Sequence, residues 1–112
     1  MSVGFYKIRR HGADEELLLD IHICNEEFRR DVWEMICNDH DWLYAKIAPD
    51  MVDILAMKYP HRDRLSEELQ SLQEVLRSGV DDSYAMKVAD RLQQFINEAK
   101  SITDPDIELG FF

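Results

Sequence analysis

Along "LLLDIHIC", Leu17, Leu19, Ile21 and Ile23 fall on one side of an alternating pattern, with Leu18, Asp20, His22 and Cys24 on the other. A period of two belongs to a half-buried strand. Upstream, "VGFYKIRR" is rich in aromatic and β-branched residues and reads as a second strand, with "HGADE" supplying the turn between them. The pattern predicts a β-hairpin, with strands near residues 3–10 and 16–24 and a loop longer than the tightest kind. A lone hairpin is marginal in water, so a third strand is wanted. "DIELGFF" alternates Ile107, Leu109 and Phe111 against Asp106, Glu108 and Gly110, and residues 106–111 are the expected supplier. The competing readings of that tail are a disordered acidic end and a segment that docks on another molecule.

From Asn25 the period lengthens to that of a helix. Asn25 is a cap candidate, Glu26 and Glu27 suit the positive end of the helix dipole, and Phe28, Val32, Met35 and Ile36 share one face. Pro49 opens a further helical stretch, "PDMVDILAMKY", which Pro60 stops. Leu65, Leu69, Leu72 and Leu76 then recur at four, three, four, and Ala85, Val88, Leu92, Phe95 and Ala99 at three, four, three, four. Both are apolar seams, separated only by "SGVDD", with Gly79 as a C-cap and Asp81 or Asp82 as an N-cap. So short a connection predicts an antiparallel helical hairpin. The expected fold is α+β: a small antiparallel sheet covered on one face by about four helices, in a single domain spanning residues 1–112.

Charge narrows the choice of partners. The chain has 23 acids against 13 bases, a formal net charge of −10. Such a surface repels nucleic acid and anionic membranes and attracts basic proteins. Lys7, Arg9 and Arg10 interleave with aromatics, but three bases make a weak nucleic-acid footprint. They read instead as a basic edge strand that discourages edge-to-edge pairing. The apolar runs are far shorter than a membrane span, the start lacks the form of a signal peptide, and two cysteines make no disulfide framework. A cytoplasmic protein is expected.

Three constellations could carry chemistry. His22-x-Cys24 at strand spacing and Cys37-x-x-His40 at helix spacing could close a tetrahedral zinc site. Against it, the pairs are mixed rather than like with like, and His22 and Cys24 point away from the strand's apolar side. No metal and no cofactor is therefore expected. Cys37 has His40 one turn away, but its acidic neighbours oppose a thiolate, and no phosphate loop or serine motif occurs. An enzyme is not expected. The third is a stripe of acids: extrapolated at a hundred degrees per residue, Glu27, Asp31, Glu34, Asn38 and Asp41 align, with Trp33 on neither the stripe nor the core face. Like charges four apart cost a few tenths of a kcal/mol per pair, which hints at a use.

These features suit a small acidic binding protein that masks a basic surface on a partner protein, such as a nuclease or other nucleic-acid-binding protein. Glu27, Asp31, Glu34 and Asp41 would pair with its cations, and Trp33 or Trp42 would anchor the contact. Immunity proteins, antitoxins and phage-type inhibitors are analogues in size and charge. The alternatives are an assembly or adaptor subunit, homodimeric through the helical hairpin, and a zinc-binding or cysteine-dependent enzyme.

Overall fold

The computed structural model describes residues 2–47, 61–104 and 106–111. Strands β1 (Val3–His11) and β2 (Asp14–Cys24) form the antiparallel hairpin. Its loop is shorter than expected: His11 pairs with Asp14, so Gly12 and Ala13 alone turn the chain. Gly12 has a φ of 62°, which a II′-type turn requires at its first central position and glycine adopts without strain. Strand β3 (Ile107–Phe111) is the expected third strand and pairs with β1, giving the order β2-β1-β3.

The basic strand is therefore central, correcting the edge-strand reading. Two of its cations, Arg10 and Lys7, are paired with acids of neighbouring elements. Arg10 bridges Glu15 of β2 and Glu108 of β3, and Lys7 reaches Glu98 in the helical layer at 2.9 Å. The alternation of β2 is also broken. The pairing register steps past Leu18 and past Ile23. Each extra residue is a bulge, which resets which side the following residue takes. Leu17, expected in the core, is 61% exposed, whereas Ile23 and Cys24 are both buried.

The first helical stretch is interrupted too. Helix α1 (Glu26–Phe28) runs into a π turn at Arg29–Trp33 and resumes as α2 (Glu34–Asp39). The Asn25 side-chain oxygen caps its start, accepting from the Phe28 N–H at 2.8 Å. Within the π turn the Glu34 N–H reaches back five residues to the Arg29 carbonyl. The additional residue rotates everything downstream relative to an unbroken α-helix. Phe28, Trp33, Ile36 and Cys37 consequently face inward and are buried. Val32 is half-buried and Met35 is 53% exposed, so Met35 is not the core residue its spacing implied.

A short helix α3 (Tyr44–Ile47) follows. The stretch expected from Pro49 to Pro60 lies outside the described residues. Helices α4 (His61–Gly79) and α5 (Ser83–Ser101) form the hairpin, with Asp82 as the N-cap of α5. The Gln73 side chain donates to the Ala89 carbonyl at 2.8 Å, and Arg77 reaches Asp90 at 3.2 Å. These contacts join the second half of α4 to the first half of α5, and the short connection between Gly79 and Ser83 returns the chain antiparallel. All nine seam residues are buried within this one chain. The sheet lies on α5, where the Phe5 ring meets Phe95 edge-on at 4.7 Å.

Replacing Leu69 or Leu92 by alanine removes a fully buried side chain from the seam. Each change should cost about 2–5 kcal/mol in denaturant unfolding. Because the seam is filled from within one chain, the melting temperature should not vary with protein concentration. A clear concentration dependence would mean that two copies share it.

Candidate functional site

The π turn divides the acids that an unbroken helix would have aligned. Glu27 and Asp31 come before or within it, and Glu34, Asn38 and Asp41 come after. Glu27 and Asp31 line a groove of about 320 Å³ with Phe28 and Val32, and Asp82, the N-cap of α5, and Tyr84 in its first turn complete it. Acids from two separate stretches thus meet over an apolar and aromatic floor. The groove is held by polar contacts across the fold. The Tyr84 hydroxyl accepts from the Asn25 N–H at 2.9 Å, and its ring meets Phe28 edge-on at 5.1 Å. The Asp82 carboxylate accepts from the Tyr84 N–H at 2.9 Å, and the Arg91 guanidinium lies 5.9 Å from the Tyr84 ring centre.

Asp31 pairs with Arg30 at 3.0 Å, with both side chains well exposed. Such a pair is worth at most about 1 kcal/mol and exchanges readily for another cation. Glu34 behaves differently. It lies 3.5 Å from the guanidinium of Arg29, which is buried, so its main role is to balance an interior charge.

Asp41 and Trp42 belong to a second location. The Asp41 N–H donates to the Asn38 carbonyl and the Trp42 N–H to the Cys37 carbonyl, a Schellman ending for α2. Asp41 takes the left-handed position usually given to glycine, with φ of 54°. Trp42 is half-buried, with its ring stacked 4.6 Å from that of His40. These residues border a recess of about 340 Å³ whose other wall includes Arg64, Glu67 and Glu68.

Trp33 is not at the surface. It is fully buried, and its indole Nε1–H donates to the Ala45 carbonyl at 3.0 Å, so it serves the core and not a contact. The local pattern gives no role to Tyr84, and it places Glu68 with Glu67 on what reads as a solvated helix face. Tyr84 sits two residues past the Asp82 cap, where nothing in the local pattern shows which distant helix it will meet. Glu68 is buried on the flank of the leucine seam, and its carboxylate accepts from the Leu43 and Ala45 N–H groups, holding the start of α3.

The zinc candidates are not brought together. His22 is exposed on the sheet, whereas the bulge at Ile23 turns Cys24 inward. Cys37 is buried in α2, and the His40 Nδ1 lies 3.0 Å from the Ile36 carbonyl. Among the described residues no group of three or more His, Cys, Asp or Glu could hold a metal ion. Burial pushes both thiols up to about 12; at Cys37 the nearby charges of Glu68 and Glu34 add to it. That is the reverse of what a nucleophilic cysteine needs.

Comparison with models of protein families, with curated proteins and with solved structures finds no match to this chain. No helix among the described residues is long and apolar enough to cross a membrane.

Two outcomes follow from this geometry. Asp41→Gly should raise stability by about 1 kcal/mol in thermal unfolding, because glycine takes the left-handed position without a Cβ penalty. An unchanged or lower melting temperature would mean that the carboxylate compensates the backbone cost. The thiols give a pH dependence. Both remain protonated in the folded chain up to about pH 12, while the unfolded thiols ionise near 9.0. Stability is thus intact below pH 9 and falls as pH rises toward 12, by about 1.4 kcal/mol per pH unit for each thiol. At pH 8 a thiol reagent should label neither cysteine until denaturant is added.

Proposed function

We propose that this protein is a small acidic binding protein that masks a basic surface on a partner protein, without catalysing a reaction. The observation that carries this reading is the groove in which Glu27, Asp31 and Asp82 meet above Phe28, Val32 and Tyr84. A lysine or arginine could lay its aliphatic stem on that floor and place its charge among the carboxylates. The net charge of −10 would steer a cationic partner toward any orientation from which the groove can be found. A partner whose basic surface serves nucleic acid, such as a nuclease, would be blocked by the same contact. Immunity proteins, antitoxins and phage-type inhibitors work in this general way, and the likeness to them is one of size and charge alone.

The helical seam gives less support to an adaptor that dimerises through it, since its apolar residues are already covered within one chain. The buried thiols give equally little to a cysteine-dependent enzyme.

The test is affinity capture from the native host with the wild-type protein and the Glu27→Lys/Asp31→Lys variant side by side. Both positions are exposed, so the variant should fold with a similar melting temperature. The wild type should retain a basic protein that moderate salt releases, and the variant should associate more slowly with it and with a weaker salt dependence. Glu34→Lys, by contrast, should lower the melting temperature, because it places a like charge beside buried Arg29. No basic protein on the wild type, or equal capture by the charge-reversed variant, would overturn the reading.

A further inference from the structure

The π turn does more than bury Trp33: it turns Met35 outward, to 53% exposure, one turn beyond half-buried Val32. Apolar surface from these two residues, Val32 still packed in part on the core, makes a short strip on the helix beside the acidic groove. Glu27, Asp31 and Asp82 border it at one end, and exposed Asp39 follows Met35 by a further turn. We propose that this strip docks a helix of the partner, one that carries lysines or arginines on either side of an apolar stripe. The proposal rests on the acidic-masking reading above and specifies the partner's chemistry.

Three physical arguments select this occupant. The strip is on a helix, whose backbone N–H and C=O groups are engaged internally, so a partner strand has no edge to join and recognition must run through side chains. Val32 and Met35 are three residues apart where the π turn passes into α2, a separation that residues three or four apart on a second helix can match when packed against it. The groove, at about 320 Å³, receives side chains and not a whole helix.

Charge complementarity decides the partner's composition. A purely apolar helix would desolvate Glu27, Asp31 and Asp82 without pairing them, which is costly. A purely cationic one would satisfy the acids and leave Val32 and Met35 in water. A basic amphipathic helix meets both parts, with an apolar centre and a charged rim as in other protein interfaces. Met35 then takes the anchoring place that Trp33, being buried, cannot fill, and its flexible thioether adapts to varied apolar partners.

The test uses two synthetic peptides of about 14 residues and equal positive charge, long enough for a marginal helix. One is an amphipathic leucine–lysine sequence, and in the other serine replaces every leucine. Titrations at low salt should show the leucine–lysine peptide binding at least about tenfold more tightly. Met35→Ser should weaken that binding by about fivefold or more. Met86→Ser, which alters an exposed methionine on α5, should leave it unchanged. Asp31→Asn should weaken both peptides, and melting curves should show all three variants folded. If Met35→Ser behaves like Met86→Ser, the strip is not the docking site and the proposal fails. Equal binding of the two peptides, still weakened by Asp31→Asn, would also overturn it while leaving the acidic-masking reading standing. Binding of neither peptide at low salt would remove both.

Discussion

The Trp33 indole heads the fully buried side chains of this chain by size, and it donates its one hydrogen bond to the Ala45 carbonyl. Phe28, buried at the helix start, is five residues away, whereas an α-helix repeats faces at three and four. Both rings can face inward only if the helix takes in one extra residue between them, and the π turn at Arg29–Trp33 does this. The energetics favour that solution. An aromatic of this class buries about 150–250 Å², worth roughly 4–6 kcal/mol at about 25 cal/mol per Å². A widened turn compromises hydrogen bonds whose net worth is about 1 kcal/mol each. Burial wins, and the consequences run outward: Met35 faces water, Glu34 lies beside Arg29, and Glu27 and Asp31 are separated from Asp41.

The corner where β2 becomes α1 depends on α5 in the same way. The bulge at Ile23 takes its carbonyl out of the regular ladder, and Arg91 donates to it at 2.9 Å. Tyr84, less than two turns earlier on α5, accepts from the Asn25 N–H and packs on Phe28. The first half of α5 thus fixes the strand's last residues, the helix cap and the floor of the acidic groove together. The leucine seam with α4 gives α5 the rigidity for that task, and Lys7–Glu98 and Phe5–Phe95 fasten the sheet further along the same helix.

The acids divide by environment. Glu98 and Glu108 tie strands to their neighbours, Glu68 holds the start of α3, and Glu34 offsets the charge of Arg29. Glu27, Asp31 and Asp82 remain at an open groove, and Asp41 occupies a backbone position that glycine would hold more cheaply. The proposed binding role draws on the three acids at the groove. Changes to the first group act on folding, so the two kinds of acid separate experimentally.

What the sequence alone determined was whatever repeats locally. Period two and the three-four spacing identified the hairpin, the third strand and both long helices, because each side chain there answers to neighbours on its own element. Asn25 and Asp82 were legible as caps for the same reason. Only the tertiary structure decided the exceptions. The bulges at Leu18 and Ile23 and the π turn each shift the phase of a pattern by one residue, and a one-residue shift changes which side every following residue takes. These shifts arise where a distant surface, the core around Trp33 or the first half of α5 from Tyr84 to Arg91, stabilises an irregular turn by more than a regular one would give. The meeting of Asp82 and Tyr84 with Glu27 and Asp31 has the same origin: it joins residues more than fifty positions apart, and no local spacing encodes it.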